Sequence, residues 1–314
     1  MTHSHSVLVT GASTGIGLHL VRCLAARECR VYATARRADD LRRLRAIEGV
    51  SALAMDVRCP EEIERARGVI AAAGRGLHGL INNAGVGGIG PLATFGNDDL
   101  RDLFEVNVFG PHRVTNAMLE LLRTTRGRIV NIGSQGGSIA SRDYGPYAMT
   151  KHALEAYTAS LREELAPHGI AVSIVQPGAI RSRIAENALP STLARLQAAP
   201  RWCRSEAWQL ATRLQSPPTP DPAAPESNTN RRVADPESVA VAVLDALESS
   251  SPRARYLVGS RWEGNRVIDT LLERLLDAND CPTLSYDRDE LVARLDRHVA
   301  ARSGGDGGQA RPSG

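Results

Sequence analysis

Seven short apolar runs, separated by stretches with helical spacing, constrain this chain more than any other feature. The runs are SVLVT (6–10), RVYAT (30–34), SALAMD (51–56), GLINNA (79–84), RIVNIG (128–133), AVSIVQ (171–176) and, after a long gap, ARYLVG (254–259). They are nearly continuous in apolar character, the mark of strands buried on both faces of a parallel sheet. Between them, 15–27, 60–73, 98–123 and 147–166 carry apolar residues at helical spacing. Strand and helix in alternation, joined by right-handed crossovers, predict an α/β fold: a doubly wound, mainly parallel seven-stranded sheet with helices on both faces.

With 314 residues, 42% of them apolar, the chain can bury a large core, so disorder throughout is excluded. A single domain is expected over 1–301, with its core in 6–182 and 236–260. The composition changes at about 183–235, read as a lid or insertion: helical cover first, then SPPTPDPAAPESNTN, too rich in proline and small polar residues to hold a packed element and read as a mobile loop. A helical extension over 262–301 and a disordered tail over 302–314 complete the expected organisation.

The 38 basic and 35 acidic residues are scattered and leave +3, so neither nucleic acid nor a membrane surface is an expected partner. No apolar run approaches the roughly 18 residues of a membrane span, and the first strand follows Met1 too closely for a secretory signal, which predicts a cytoplasmic protein. Five cysteines without a CxxC pair read as reduced thiols, and no metal site is expected.

The first strand runs directly into TGASTGIG (10–17), including Ser13, Thr14 and Ile16. Gly11, Gly15 and Gly17 let the backbone turn tightly and approach a pyrophosphate, which would sit on the free amides of the following helix. Tyr147 and Lys151, four apart, share a helix face. A neighbouring ammonium favours the phenolate, and lowering a tyrosine pKa by about three units takes about 4 kcal/mol. Of the 38 basic residues 37 are arginine, and the one lysine is Lys151, which suggests a role that a guanidinium cannot fill. Ser134 ends the fifth strand, on the sheet edge where open α/β folds bind ligands.

In this order and spacing, GxxxGxG, the NNAG at 82–85, Asn107, Ser134, the YxxxK of Tyr147 and Lys151, and Pro177 with Gly178 closely resemble the short-chain dehydrogenase/reductase family over residues 6–182. The resemblance implies a Rossmann-like fold and reversible hydride transfer at a secondary alcohol or ketone. Asn107, Ser134, Tyr147 and Lys151 would be catalytic, with Asn107 distorting its helix and holding a relay water. Asp56, Val57, Asn83, Ala84, Gly85, Pro177, Gly178, Ile180 and Ser182, with Tyr147 and Lys151, would bind the cofactor: Asp56 at the adenine, Asn83 beside the adenosine pocket and Lys151 at the nicotinamide ribose hydroxyls. Asn82 and Asn83 also read as bridges between adjacent strands, and Asp56 as a cap of the next helix.

At the end of the second strand stand Ala35, Arg36 and Arg37, where NAD-selecting proteins place an acid. A guanidinium there suits the 2′-phosphate of NADP, with Ser13 as a further donor; NADP(H) is therefore expected over NAD(H), although two solvated arginines would look the same. The YATARR stretch, PGAIRS and the long C-terminal part resemble the hydroxysteroid and retinol dehydrogenase branch, implying a bulky, largely apolar alcohol or ketone. A ketoreductase of secondary metabolism is the alternative; a sugar-nucleotide epimerase or dehydratase and a non-catalytic NADP sensor rank below it. Leu189, Leu193, Trp202 and Trp208 are candidate lining residues of the lid, and a homodimer or homotetramer is implied by resemblance.

Overall fold

The computed structural model describes residues 5–217, 219–283 and 285–303. β1 (Ser6–Val9) is completely buried: Val7 and Val9 point into one apolar cluster and Leu8 into the other. The same division repeats along β2 (Arg30–Ala35), β4 (Gly79–Asn82), β5 (Arg128–Ile132) and β6 (Ala171–Pro177), because successive strand residues face opposite sides of a sheet. With β3 (Val50–Ala54) and β7 (Arg255–Val258) they form a parallel sheet of order β3-β2-β1-β4-β5-β6-β7, as the periodicity predicts. Val9 pairs with Ala33 on one side and Ile81 on the other, so the strand order reverses at β1 and opens a crevice at its carboxyl end.

The helices α1 (Gly15–Ala26) and α2 (Ala38–Arg45) contribute to the first cluster, and α3 (Pro60–Ala72) to the second. The expected helix over 98–123 is interrupted. It comprises α4 (Asn97–Phe104), a π-type turn at Glu105–Phe109 and α5 (Gly110–Thr125). Pro111 cannot donate to the preceding turn, and the buried Asn107 is held elsewhere, so the regular ladder lapses there. The second cluster is completed by α5 and α6 (Gly145–Leu165). Periodicity does not reveal α2: it has eight residues, and Leu41 and Leu44 alone are buried.

The insertion holds α7 (Ile184–Gln197) and α8 (Arg204–Gln215), whose Leu196, Ala207 and Leu210 form a small core of their own with Cys203 from the turn between them. The described residues of the proline-rich segment that follows take no regular element, and those from Asp221 to Asn230 are tied by hydrogen bonds. Asn230 accepts from the Asp221 amide (2.8 Å) and donates to the carbonyls of Asp221 (3.0 Å) and Pro225 (3.1 Å). Proline cannot supply backbone donors, so one side-chain amide does. The chain then forms α9 (Glu237–Glu248) on the first face, and α10 (Arg261–Asn279) and α11 (Arg288–Ser303) after β7.

Two compact units result, with the division after Val267, inside α10. Val267 is the last buried residue of that helix, whereas Leu271, Leu272, Leu275 and Leu276 beyond it are about half exposed. The extension expected from 262 therefore starts within the first unit. The tail expected from 302 lies, from 304 onward, outside the described residues.

Candidate active site

The glycine loop is built by close approach. Gly11 has φ +63°, and a Cβ there would lie 2.7 Å from the Ala84 backbone. A Cβ at Gly17 would lie 2.5 Å from both Asn83 Nδ2 and the Gly11 carbonyl. The Thr10 hydroxyl accepts from the amides of Asn83 and Ala84 (both 3.0 Å), and Asn83 Nδ2 donates to the carbonyls of Thr10 and Gly11 (2.9 and 3.0 Å). These bonds tie the ends of β1 and β4 across the switch in strand order. The first turn of α1 remains open: Thr14 makes no capping bond and the turn contains no acid. An uncapped helix N-terminus behind a glycine cradle fits a diphosphate.

Ser134 follows β5, and its Oγ accepts from the Gly136 amide at 3.0 Å, which fixes the hydroxyl toward α6. There it acts on Tyr147, favouring the ionised phenol. Lys151, 5% exposed, donates from Nζ to the Ile132 carbonyl at 2.8 Å and lies 5.6 Å from the Tyr147 ring centroid. Burial pushes the Tyr147 pKa up to about 12, against the opposing effect of the Ser134 hydrogen bond. Burial likewise lowers Lys151 to about 8, although Glu155 favours its charged form. Burial thus acts on Tyr147 in the direction opposite to the depression expected from YxxxK. The ammonium itself is directed at the Ile132 carbonyl.

Asn107 takes no direct part in this pair. Its Nδ2 donates to the Val86 carbonyl (2.9 Å) and Thr150 Oγ1 (3.0 Å), and its Oδ1 accepts from the Val86 amide (2.8 Å). Thr150 in turn donates to the Tyr147 carbonyl (2.8 Å), so the π-type turn, the loop after β4 and α6 are fastened together. Asn82 bridges to Asn131 of β5 at 2.9 Å, as its position beside the strand suggests.

At the other end, Arg36 Nη1 lies 3.7 Å from Asp56 Oδ2. Asp56 is held below its ordinary pKa, first by its hydrogen bond from Arg58. It does not cap α3, where Cys59 occupies that position.

One cavity of about 1080 Å³ joins these parts. Every sequence-predicted site residue lines it except Arg37, which precedes α2, and Asn107, whose neighbour Val106 does. The lid candidates are corrected. Leu189, Leu193, Trp202 and Trp208 are outside the wall, and both tryptophans are mainly exposed; Ile184, Ala185 and Ala188 line it instead. Helix periodicity gives a buried face without saying which neighbour it meets.

A model of the short chain dehydrogenase family matches residues 5–192, more than half of the chain. The chain belongs to the short-chain dehydrogenase family. It is accordingly an oxidoreductase. An oxidoreductase of Escherichia coli strain K12, called YbbO and uncharacterised, is 40% identical over 58% of this chain and 68% of its own. Retinol dehydrogenase 5 of Mus musculus is 34% identical over 86% of this chain and 88% of its own. The crystal structure of the actinorhodin polyketide ketoreductase with NADPH has a TM-score of 0.67 and 28% identity, covering 83% of this chain and 98% of that one.

Several residues of this short-chain dehydrogenase escape sequence reasoning. Thr150 had a weak signal, lying three residues after Tyr147 on the same helix. Thr10 sits inside a recognised loop, but its partners are more than 70 residues away. Glu263 and Arg231 lie beyond the family match and have no local signature. Away from the cavity, His19, Cys23 and Glu237 bring three ligand-type atoms within 4.8 Å. Their mutual hydrogen bonds account for that grouping.

Proposed function

We propose that this enzyme interconverts a secondary alcohol and a ketone on a bulky, largely apolar substrate, with NADP(H) as cofactor. The observation that carries this reading is the convergence of Ser134, Tyr147 and Lys151 on a cavity whose far wall presents Arg36 where an NAD-selecting chain would present an acid. When bound, the nicotinamide supplies or accepts the hydride. Ser134 and Tyr147 bind the substrate oxygen. Tyr147, protonated at neutral pH, donates the proton as the ketone is reduced. Lys151 holds positive charge beside the phenol and lowers the cost of its ionisation. Arg36 takes the 2′-phosphate, with Ser13 as a second donor.

Val86, Ile89, Ile139, Ile184 and Ala188 give the wall an apolar stretch suited to such a substrate. The relative named for retinol and the neighbour named for a polyketide support a large alcohol or ketone, the second favouring reduction. Exposed Phe109 and Met149 support pairing of the 98–123 and 147–166 helices with a second copy, and five cysteines without a disulfide support a reducing, cytoplasmic setting. No helix among the described residues is long and apolar enough to cross a membrane.

The test is NADPH absorbance against a panel of ketones from short aliphatic to polycyclic. The reading expects turnover of the bulky members, with a lower KM for NADPH than for NADH. Cofactor binding without turnover across the panel, or equal KM values, would overturn it.

A further inference from the structure

Glu263 is completely buried, although a carboxylate is among the groups least often found without water. Its surroundings explain the exception. Oε1 accepts from the Ala179 amide at 2.9 Å and from the Arg231 guanidinium, while Oε2 faces the Ser260 amide at 3.4 Å. The Gly178 amide donates to the Val258 carbonyl at 2.7 Å, and Gln135, next to Ser134, donates to the same carbonyl at 3.1 Å. A Cβ on Gly178 would collide with the Glu263 carboxylate, so glycine there is what admits the acid.

Arg231 brings in the insertion. Three residues on, the Ala234 amide donates to the Ala179 carbonyl and the Arg181 amide to the Ala234 carbonyl, both at 2.9 Å, forming an isolated parallel bridge. Gly178, Ala179, Ile180 and Arg231 all line the cavity. The return leg of the insertion, the loop after β6 and the start of α10 therefore meet on one carboxylate.

We infer that Glu263 is a positioning residue: paired with Arg231, it latches the insertion onto the 178–181 loop and sets that loop's shape for the nicotinamide end of the cofactor, which rests on the assignment of NADP(H) above. The family match ends at residue 192, so both partners come from the part of the chain beyond it. Removing Arg231 takes away the direct ion-pair partner of the buried carboxylate, leaving it the Ala179 and Ser260 amides and the charge of Arg266, and removing Glu263 takes away the acceptor that both Arg231 and the Ala179 amide use; either change loosens both segments.

The test uses Glu263→Gln, which keeps the size of the side chain, and Arg231→Gln, with the double variant, in the full chain. Amide hydrogen exchange without cofactor is expected to rise at least tenfold in 178–182 and 231–235 together, while the amides of β1 and β4 stay unchanged. NADPH dissociation constants are expected to rise about tenfold in each single variant and no further in the double. If Glu263→Gln does not fold, Arg231→Gln carries the same exchange measurement. Unchanged exchange in either segment, or additive losses in the double variant, would overturn the latch. A parent chain that binds no NADPH but shows the coupled exchange change would overturn the cofactor assignment and leave the latch standing.

Discussion

The two ends of the cavity are built on opposite principles. At the catalytic end, Lys151 is 5% exposed and its ammonium is spent on one carbonyl, so water screens little and each change of charge is expensive. At the adenosine end, the Arg36 side chain is 64% exposed and reaches Asp56 only at 3.7 Å, a loose, solvated arrangement worth little by itself. The comparison teaches that the groups proposed for the chemistry are held by burial, whereas the cofactor choice proposed for Arg36 would rest on a single solvated charge. Changes at the first end should be large and insensitive to salt, and at the second modest and salt-dependent.

The largest effect is expected from Tyr147→Phe, which keeps the ring and removes the proton donor. Turnover should fall by about 10²–10⁴-fold with NADPH affinity nearly unchanged, read from steady-state kinetics and a binding titration. A turnover within a few-fold of the parent would erase the distinction between the ends.

Lys151→Met follows. The folded-state pKa of about 8 lies below the ordinary 10.5, so below pH 8 the folded chain carries a penalty of about 3 kcal/mol for the buried charge. From pH 8 to 10.5 the folded state has lost the proton while the unfolded state still binds it, so the parent's stability should rise in that window relative to the variant. Denaturant unfolding at pH 7 and pH 10 checks this: the variant's advantage should shrink at the higher pH. Activity should be lost throughout.

A smaller change is expected from Arg36→Ala: a roughly tenfold higher KM for NADPH, no change for NADH, and a difference that narrows in 0.5 M salt, where the Debye length is about half its physiological ~8 Å. Arg37→Ala should be the smallest, with both KM values within about twofold, because Arg37 lies outside the cavity wall. An equal loss for Arg36 and Arg37 would show that general basicity, and not one guanidinium, selects the cofactor.

Much of the site was legible because its parts are local. Gly11, Gly15 and Gly17 occupy one turn, and Tyr147 and Lys151 one helix face, so spacing alone places them. The break at Asn107 was legible only by resemblance, since its partners Val86 and Thr150 are 21 and 43 residues away. The lid tryptophans misled because a large apolar residue in a weakly amphipathic stretch suggests a lining role, whereas Trp202 and Trp208 face outward and smaller neighbours meet the cavity.

By itself, the sequence determined the alternating architecture, the glycine loop and the identity of the groups at the cleft, because these follow from period and spacing along the chain. Tertiary structure alone decided the protonation balance of Tyr147 and Lys151 and the meeting of Arg231 with Glu263. Desolvation is a property of the volume around a group, and a contact across 32 residues exists only once the sheet has brought both ends to one edge.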